Sequence, residues 1–344
     1  MSSPRKQDCT TKGNFFAINK PEFAQACELG LNPAVAYLVL ACGTGRDNIR
    51  TRWSCDSINR YTGMSWIRAR DAVRRLETVG IAALNKPLVR RGRPLRLLRT
   101  CLDAQAIWLP KEIVVGDGTE ARPLQTIRET GELGLLSCLI DLYAEQELLG
   151  DGGIPRSILR TTYDTRWIAD LDEYRLLALE LDRPQRERER RLPENCVDRL
   201  LKMKLLELVP HLAESDAVEA ELVHALAGDA HADAAADAAM SFTKALAFED
   251  PVRIRQHEYV LAAPRHMQRA TVVGIYRLRY RPMTWQECHA ENCARYAAVY
   301  ETLASKLGTC SAPNGPPLDI KEIQVGSRVA NVHQRAIPGA GALC

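Results

Sequence analysis

Seven arginines in one short stretch are the side chains of this chain best suited to chemistry, and that chemistry is the binding of a polyanion. They are Arg68, Arg70, Arg74 and Arg75 in one predicted helix, and Arg90, Arg91 and Arg93 in a predicted hairpin tip. Guanidinium groups neutralise phosphates, and each can donate two hydrogen bonds to O6 and N7 of guanine. The pattern therefore predicts contact with double-stranded DNA.

A helical wheel of about 100° per residue divides the segment from 66 to 79 into two sides. The apolar side, which is predicted to face the protein core, comprises Ala69, Ala72, Val73, Leu76 and Val79. The opposite side comprises Ile67, Arg70, Asp71 and Arg74, with Trp66, Arg68 and Arg75 at its edges. A helix that is cationic on one side suits the major groove of a duplex.

Position on the helix predicts a contact for each arginine. Arg70 and Arg74 are candidates for base edges, whereas Arg68 and Arg75 are better placed for phosphates. The hairpin tip, in which three arginines surround Gly92, is compact and strongly positive. It fits a minor groove or the phosphates beside it.

Three further residues at the start of this helix are candidate DNA contacts. Ser65 is predicted to cap the helix and to place backbone N–H groups near a phosphate. Ile67 is predicted to be exposed and to contact a thymine methyl group. Trp66 has two open interpretations, since it either packs against the sugar–phosphate backbone or braces the preceding helix.

Charge is distributed unevenly along the 344 residues, although the net charge is only +3. Residues 1–101 hold 18 lysines and arginines against 7 acidic residues, a net charge of +11. The remainder holds 28 against 36, a net charge of −8. Such asymmetry indicates a polyanion-binding N-terminal part joined to a part with another role.

Helix caps and turn residues predict the order of the helices and strands that carry the arginines. The apolar run Ala34–Ala41 predicts a buried helix that ends at Gly43. Ser54 begins a second helix, Gly63 supplies the turn, and Ser65 begins the arginine-rich third helix. Predicted strands at 81–88 and 94–98 then form a hairpin. This order predicts a winged helix-turn-helix.

The stretch Asn32–Val79 resembles bacterial winged-helix regulators and related proteins of phages and plasmids. The resemblance depends on Trp53-Ser54, Tyr61-Thr62-Gly63, Arg68-Ala69-Arg70 and Leu76-Glu77-Thr78-Val79-Gly80. The winged helix-turn-helix domain that it implies (14–101) covers about a quarter of the chain, with the third helix expected to bind the major groove while the wing contacts the DNA backbone. Trp66 departs from the small or polar residue that is common after the cap.

The rest of the chain is predicted to contain a second unit of similar order. A helix from 192 to about 205, a strand at 206–212 and a partner strand at 219–226 suggest a second winged-helix-like domain. Such a tandem layout is similar to that of theta-type plasmid replication initiators. The helix of this second unit mixes Arg199, Lys202 and Lys204 with acidic residues, so dimerisation or protein binding is the alternative to DNA contact.

These elements predict a mainly helical fold with small β wings, an α+β class that ends in a C-terminal helix and a flexible tail. The predicted divisions are a flexible basic arm (1–13), a winged helix-turn-helix domain (14–101), a connection (102–130), a second winged-helix-like domain (131–227), an Ala-rich loop with strands and a long helix (228–307), and a flexible tail (308–344).

The sequence offers no pattern typical of an enzyme. Gly43-Thr44-Gly45-Arg46 lacks the lysine of a phosphate-binding loop, and the seven histidines are dispersed. His289 and Cys293 share one predicted helix face, but a structural zinc needs four ligands, so ordinary helix residues are the better interpretation. We therefore expect no catalytic residue, metal or cofactor.

Compartment and function follow from the same observations. Eleven scattered cysteines without a secretory signal predict reduced thiols in a cytoplasmic, nucleoid-associated bacterial protein, and no apolar run is long enough for a membrane. We expect a site-specific regulator of transcription from a bacterial or mobile-element operon. A replication initiator and a protein–protein adaptor are the alternatives. The C-terminal two-thirds are expected to form a homodimer or to bind a protein partner.

Overall fold

A computed structural model describes most of the chain between Phe15 and Cys310. The described ranges are 15–45, 47–85, 95–99, 106–118, 122–147, 152–188, 195–249, 254–255, 257–280 and 288–310. Three predictions fall outside the described residues: the basic arm 1–13, the wing tip with Arg90, Arg91 and Arg93, and the tail beyond 310.

The N-terminal part combines seven helices with two small antiparallel sheets among the described residues. Its elements are β1 Phe15–Asn19, α1 Lys20–Glu28, α2 Leu31–Cys42, β2 Arg50–Thr51, α3 Cys55–Thr62, α4 Trp66–Thr78, β3 Ala82–Leu84, β4 Arg96–Leu98, β5 Ala106–Pro110, α5 Glu112–Val115, α6 Pro123–Thr130 and α7 Leu133–Glu145. One sheet pairs β1 with β5, and the other has the order β2-β4-β3.

Helix α2 is the centre of this part because it is apolar on every side. Every residue from Pro33 to Cys42 is buried. Helices α1, α3 and α4 pack around it, and β3 and β4, which form a sheet with β2, follow α4 in sequence. The arrangement of α2, β2, α3, α4, β3 and β4 has the order and strand pairing of a winged helix-turn-helix.

The C-terminal part is built on a curled antiparallel sheet of six strands. Its elements are β6 Leu159–Leu171, β7 Tyr174–Arg188, α8 Cys196–Lys202, β8 Leu206–Ala213, β9 Leu222–Ala225, α9 Ala230–Glu249, β10 Tyr259–Pro264, β11 Thr271–Leu278 and α10 Cys288–Cys310. The strand order is β10-β7-β6-β11-β8-β9. Helices α9 and α10 pack against each other, and their buried Phe242 and Tyr300 join the apolar side chains of the sheet.

The predicted fold class is wrong. The structure is about 46% helical and 29% strand, so it is not mainly helical with small wings. Most of the unexpected strand lies in the β6–β7 hairpin, which the sequence analysis did not predict. Its turn uses Asp172 at a φ of 51°, with neither Gly nor Pro to mark it.

The prediction of a second winged-helix-like domain is also wrong. Helix α8 and the hairpin β8–β9 are present at the predicted places, but β8 pairs with β11 along its whole length. The hairpin is therefore one edge of the six-stranded sheet rather than a separate wing. Within the described ranges, the predicted second winged-helix-like domain is therefore not formed.

Candidate nucleic-acid interface

Local interactions define the helix-turn-helix formed by α3 and α4. Ser54 and Ser57 form a capping box at the start of α3, in which each side chain binds the backbone of the other. Gly63 ends α3 at a φ of 65°, a left-handed conformation that favours glycine. The Ser65 hydroxyl then accepts a hydrogen bond of 3.5 Å from the backbone N–H of Arg68. The turn and both helix starts thus depend on residues that the sequence analysis identified.

The inner side of α4 is the apolar side that the sequence predicts. Ala69, Ala72, Val73 and Leu76 are buried, and Val79 is half-buried against the same core. Since this side is fixed against α2 and α3, the remaining side must face outward. Orientation of the arginines thus follows from the packing of small and branched apolar residues.

The outer side of α4 is cationic and accessible. The side chains of Arg68, Arg70, Arg74 and Arg75 are exposed. Among the described residues, no carboxylate forms an ion pair with any of the four. Their charge is therefore not neutralised within the described part of the chain, and it is available to a polyanion.

Neighbouring arginines of the same part are paired instead. Arg96 on β4 lies 3.1 Å from the Glu77 carboxylate on α4, and its side chain is mostly buried. Arg99 lies 2.8 Å from Glu22 on α1. These pairs attach the wing strand and its end to helices, so the structure separates arginines with a structural contact from those on the outer side of α4.

Two large apolar side chains extend the outer side of α4 at its start. Trp66 is 48% exposed and Ile67 is 70% exposed, although apolar residues of this size are usually buried. The guanidinium carbon of Arg70 lies 4.9 Å from the centre of the Trp66 ring. Ile67 stands where the sequence predicts an apolar contact with DNA.

The base of the wing is described, and its tip is not. Strand β3 pairs with β4 from Ala82–Leu98 to Leu84–Arg96, and the N–H of Asn85 donates to the carbonyl of Leu95 at 2.9 Å. The hairpin predicted from the sequence is therefore present at its base. Arg90, Arg91 and Arg93 lie in the range 86–94, outside the described residues.

Helix α6 supports the turn between α3 and α4, and the sequence analysis did not anticipate this. The Nε of Arg128 donates to the carbonyl of Thr62 at 2.6 Å, and Arg122 donates to the carbonyl of Arg60. These bonds satisfy carbonyls in the last turn of α3, which lack helical partners. The contacts span 62 and 66 residues of sequence, so no local pattern indicates them.

An aromatic stack lies beside the same turn. Trp53 and Tyr61 stack at 4.7 Å between ring centres, and the guanidinium of Arg122 lies 5.3 Å from the Tyr61 ring. The Trp53 ring also closes on Gly43, because a Cβ atom placed there would lie 2.2 Å from its Cγ. The end of α2 and the start of α3 are therefore packed too closely for a side chain at position 43.

Gly43→Ala should destabilise the protein by about 1–3 kcal/mol, because the added methyl group must displace the Trp53 ring. Urea unfolding monitored by circular dichroism measures this change. Gly45→Ala is the matched control in the same loop, since a Cβ atom there meets its nearest neighbour at 3.8 Å. Equal stability of the two variants would contradict the close packing.

The described part of the chain offers little for catalysis or metal binding. No group of three His, Cys, Asp or Glu side chains there is placed to hold a metal ion. The Nε2 of His289 lies 2.9 Å from an Asp229 oxygen and 3.8 Å from the Cys293 sulfur. Both partners meet the same nitrogen, so they do not form a proton relay, and burial raises the pKa of the Cys293 thiol.

Comparison with known proteins assigns no family. The chain matches no protein-family model, no curated protein and no solved structure. Within the described ranges, no helix combines the length and apolarity that a bilayer crossing requires.

Proposed function

We propose that this chain binds double-stranded DNA at specific sites, with α4 in the major groove. The proposal rests on the arginines of the outer side of α4. Four exposed arginines share one helix, and none of them has a carboxylate partner among the described residues. A helix-turn-helix places its second helix in the major groove in the same way.

The charge of residues 1–101 supports this proposal. Residues 1–101 carry a net charge of +11, whereas the remainder carries −8. A cationic surface attracts phosphates along the whole approach to a duplex. Ser65 adds the N-terminus of α4, where backbone N–H groups favour a phosphate.

Each side chain on α4 has a proposed contact. Arg70 and Arg74 donate to guanine edges, Arg68 and Arg75 bind phosphates, and Ile67 contacts a thymine methyl group. The three wing arginines are proposed to contact the adjacent groove or its phosphates. Base contacts supply specificity, and phosphate contacts supply affinity and register.

The biological role that we propose is regulation of transcription from a bacterial or mobile-element operon. This part of the proposal rests on the resemblance of Asn32–Val79 to winged-helix regulators. The C-terminal part would then supply dimerisation or a protein contact through its six-stranded sheet and helices.

Selection of bound sequences from a pool of random duplexes, followed by a salt titration on the selected duplex, tests the proposal. We expect a defined sequence to emerge, and we expect its affinity to fall steeply as salt rises, because phosphate contacts release counterions. No enrichment of any sequence, or binding that salt does not change, would contradict the proposal and favour a protein–protein adaptor.

The double variant Arg68→Ala/Arg75→Ala should weaken binding to all duplexes about equally. Each lost phosphate contact lowers the slope of log affinity against log salt by about 0.9, so the slope should fall by roughly 2. Fluorescence anisotropy over a range of salt concentrations measures it. Lys244→Ala/Arg269→Ala removes two exposed charges from the C-terminal part and should leave the slope unchanged. Equal slopes in both double variants would remove Arg68 and Arg75 from the interface.

A further inference from the structure

The contact between Trp66 and Arg70 has no counterpart elsewhere on the described outer side of α4. The two residues are one helical turn apart, and the Arg70 guanidinium lies over the Trp66 ring at 4.9 Å. Arg74, the second candidate for a base contact, has no aromatic ring beneath it in the described part of the chain. The two candidate base-contacting arginines therefore differ in their surroundings, since Arg70 lies over an aromatic ring.

Trp66 does not contribute to the hydrophobic core in the way the other aromatic residues near the turn do. Trp53 and Tyr61 pack against the buried core, whereas Trp66 is absent from the side chains that do so and is 48% exposed. An indole that is 48% exposed at the start of a helix gains only part of the stabilisation that full burial would give. The Trp66 ring lies beneath the guanidinium of Arg70.

Stacking on an aromatic ring leaves an arginine able to bind guanine. When a guanidinium stacks on a ring, its face meets the ring and its N–H donors point outward in its own plane. A free arginine loses side-chain conformational freedom when it is held in a single bidentate geometry. A guanidinium that already lies on a ring has given up part of that freedom before it meets the DNA, so less is lost on binding.

We propose that Trp66 is a positioning residue that holds Arg70 for bidentate contact with one guanine in the target site. This inference rests on the proposed function and deepens it. Trp66 acts through Arg70, and it raises discrimination at the guanine that Arg70 meets. The guanine that Arg74 meets is not affected.

The test uses the full chain and the duplex selected by the wild type. Trp66→Leu should weaken binding by about two- to fivefold, because part of the cost of ordering the Arg70 side chain then falls on the binding step. Trp66→Phe keeps an aromatic face and should retain most of the affinity. Replacement of guanines one at a time by 7-deazaguanine, which lacks N7, should show that Trp66→Leu loses discrimination at only one of the sensitive positions.

The Arg70→Ala background separates positioning from direct contact. If Trp66 acts through Arg70, Trp66→Leu should cause no further loss of affinity in that background. An equal loss in both backgrounds would show that the indole contacts DNA itself, and unchanged affinity of Trp66→Leu in the wild-type background would show that it has no part in binding. Either result overturns the positioning role alone, whereas a wild type that selects no duplex overturns the proposed function itself.

Discussion

The double variant Arg70→Ala/Arg74→Ala is expected to lose sequence preference while it keeps general affinity for DNA. Each bidentate contact to a base contributes about 1–3 kcal/mol of discrimination, so the selected duplex should bind at least roughly 30-fold more weakly. Binding to an unrelated duplex should change much less, because Arg68, Arg75 and the wing still meet phosphates. Fluorescence anisotropy on the two duplexes measures both affinities.

The loss of affinity can be assigned to base contacts only if the double variant folds as the wild type does. Arg70 and Arg74 are exposed and have no ion pair among the described residues, so their removal should leave the free energy of unfolding nearly the same. The double variant at 68 and 75 is the matched comparison, because it removes the same charge from the same helix. If the two double variants lose affinity for specific and unrelated duplexes in the same ratio, the assignment of base contacts is wrong.

Acid should destabilise the C-terminal part through His224 on β9. Burial lowers the pKa of this imidazole to about 4, although a hydrogen bond with the Ala225 carbonyl acts in the opposite direction. The ring lies 3.2 Å from the Tyr300 hydroxyl and stacks on Tyr296, so it is held neutral among aromatic side chains. His211 is buried near it, and its pKa is also lowered, first by burial and then by Arg277.

The direction of the pH dependence follows from the number of protons that the folded and unfolded states bind. In the unfolded chain His224 titrates near its ordinary pKa of about 6.5, so between that pH and about 4 the unfolded state binds more protons. Stability is therefore complete above about pH 6.5 and is lost as pH falls toward 4, with about 3 kcal/mol from this residue. Urea unfolding at a series of pH values measures the loss.

His224→Gln should remove this part of the pH dependence, because an amide does not titrate. The variant is less stable near neutral pH but should lose less stability on acidification. His266→Gln is the matched control, since His266 is exposed in the turn between β10 and β11. Parallel curves of unfolding free energy against pH for the wild type and His224→Gln would rule out this origin of acid sensitivity.

The segment from α2 to β4 could be predicted from sequence because its boundaries depend on local interactions. Ser54, Gly63 and Ser65 each fix a helix end within a few residues, and the 3.6-residue spacing of the buried side of α4 also sets its exposed side. The same periodicity placed the candidate DNA contacts outward. A prediction from one segment succeeds where the physical cause lies in that segment.

The six-stranded sheet could not be predicted in this way because its strands are joined by distant pairings. Strand β6 carries Arg, Thr and Asp among its apolar residues, a composition that strands tolerate when neighbouring strands pair with them. The alternating charges from Arg183 to Arg191 suggest a solvated loop or helix face, yet the backbone of Pro184–Arg188 pairs with the start of β6. Whether such a segment is solvated or forms a strand therefore depends on the presence of a partner strand, which the local sequence does not show.

Helix α9 illustrates the same dependence on distant packing. The low complexity of residues 227–240 predicts a mobile loop or a short Ala-rich helix, but the helix runs from Ala230 to Glu249. Alanine has the highest helix propensity, and Ala232, Ala235 and Ala239 lie on a buried side that faces other elements. The contacts of α6 with the helix-turn-helix were missed for the same reason, because their partners lie more than 60 residues away.

Methylation interference at guanine N7 tests most directly whether α4 lies in the major groove. The selected duplex is methylated sparsely at N7, and the duplexes that the wild type still binds are separated from those that it does not. We expect that methylation at one or a few guanines prevents binding, and that this interference disappears in Arg70→Ala/Arg74→Ala. Binding that tolerates methylation at every guanine would contradict the placement of α4 in the major groove.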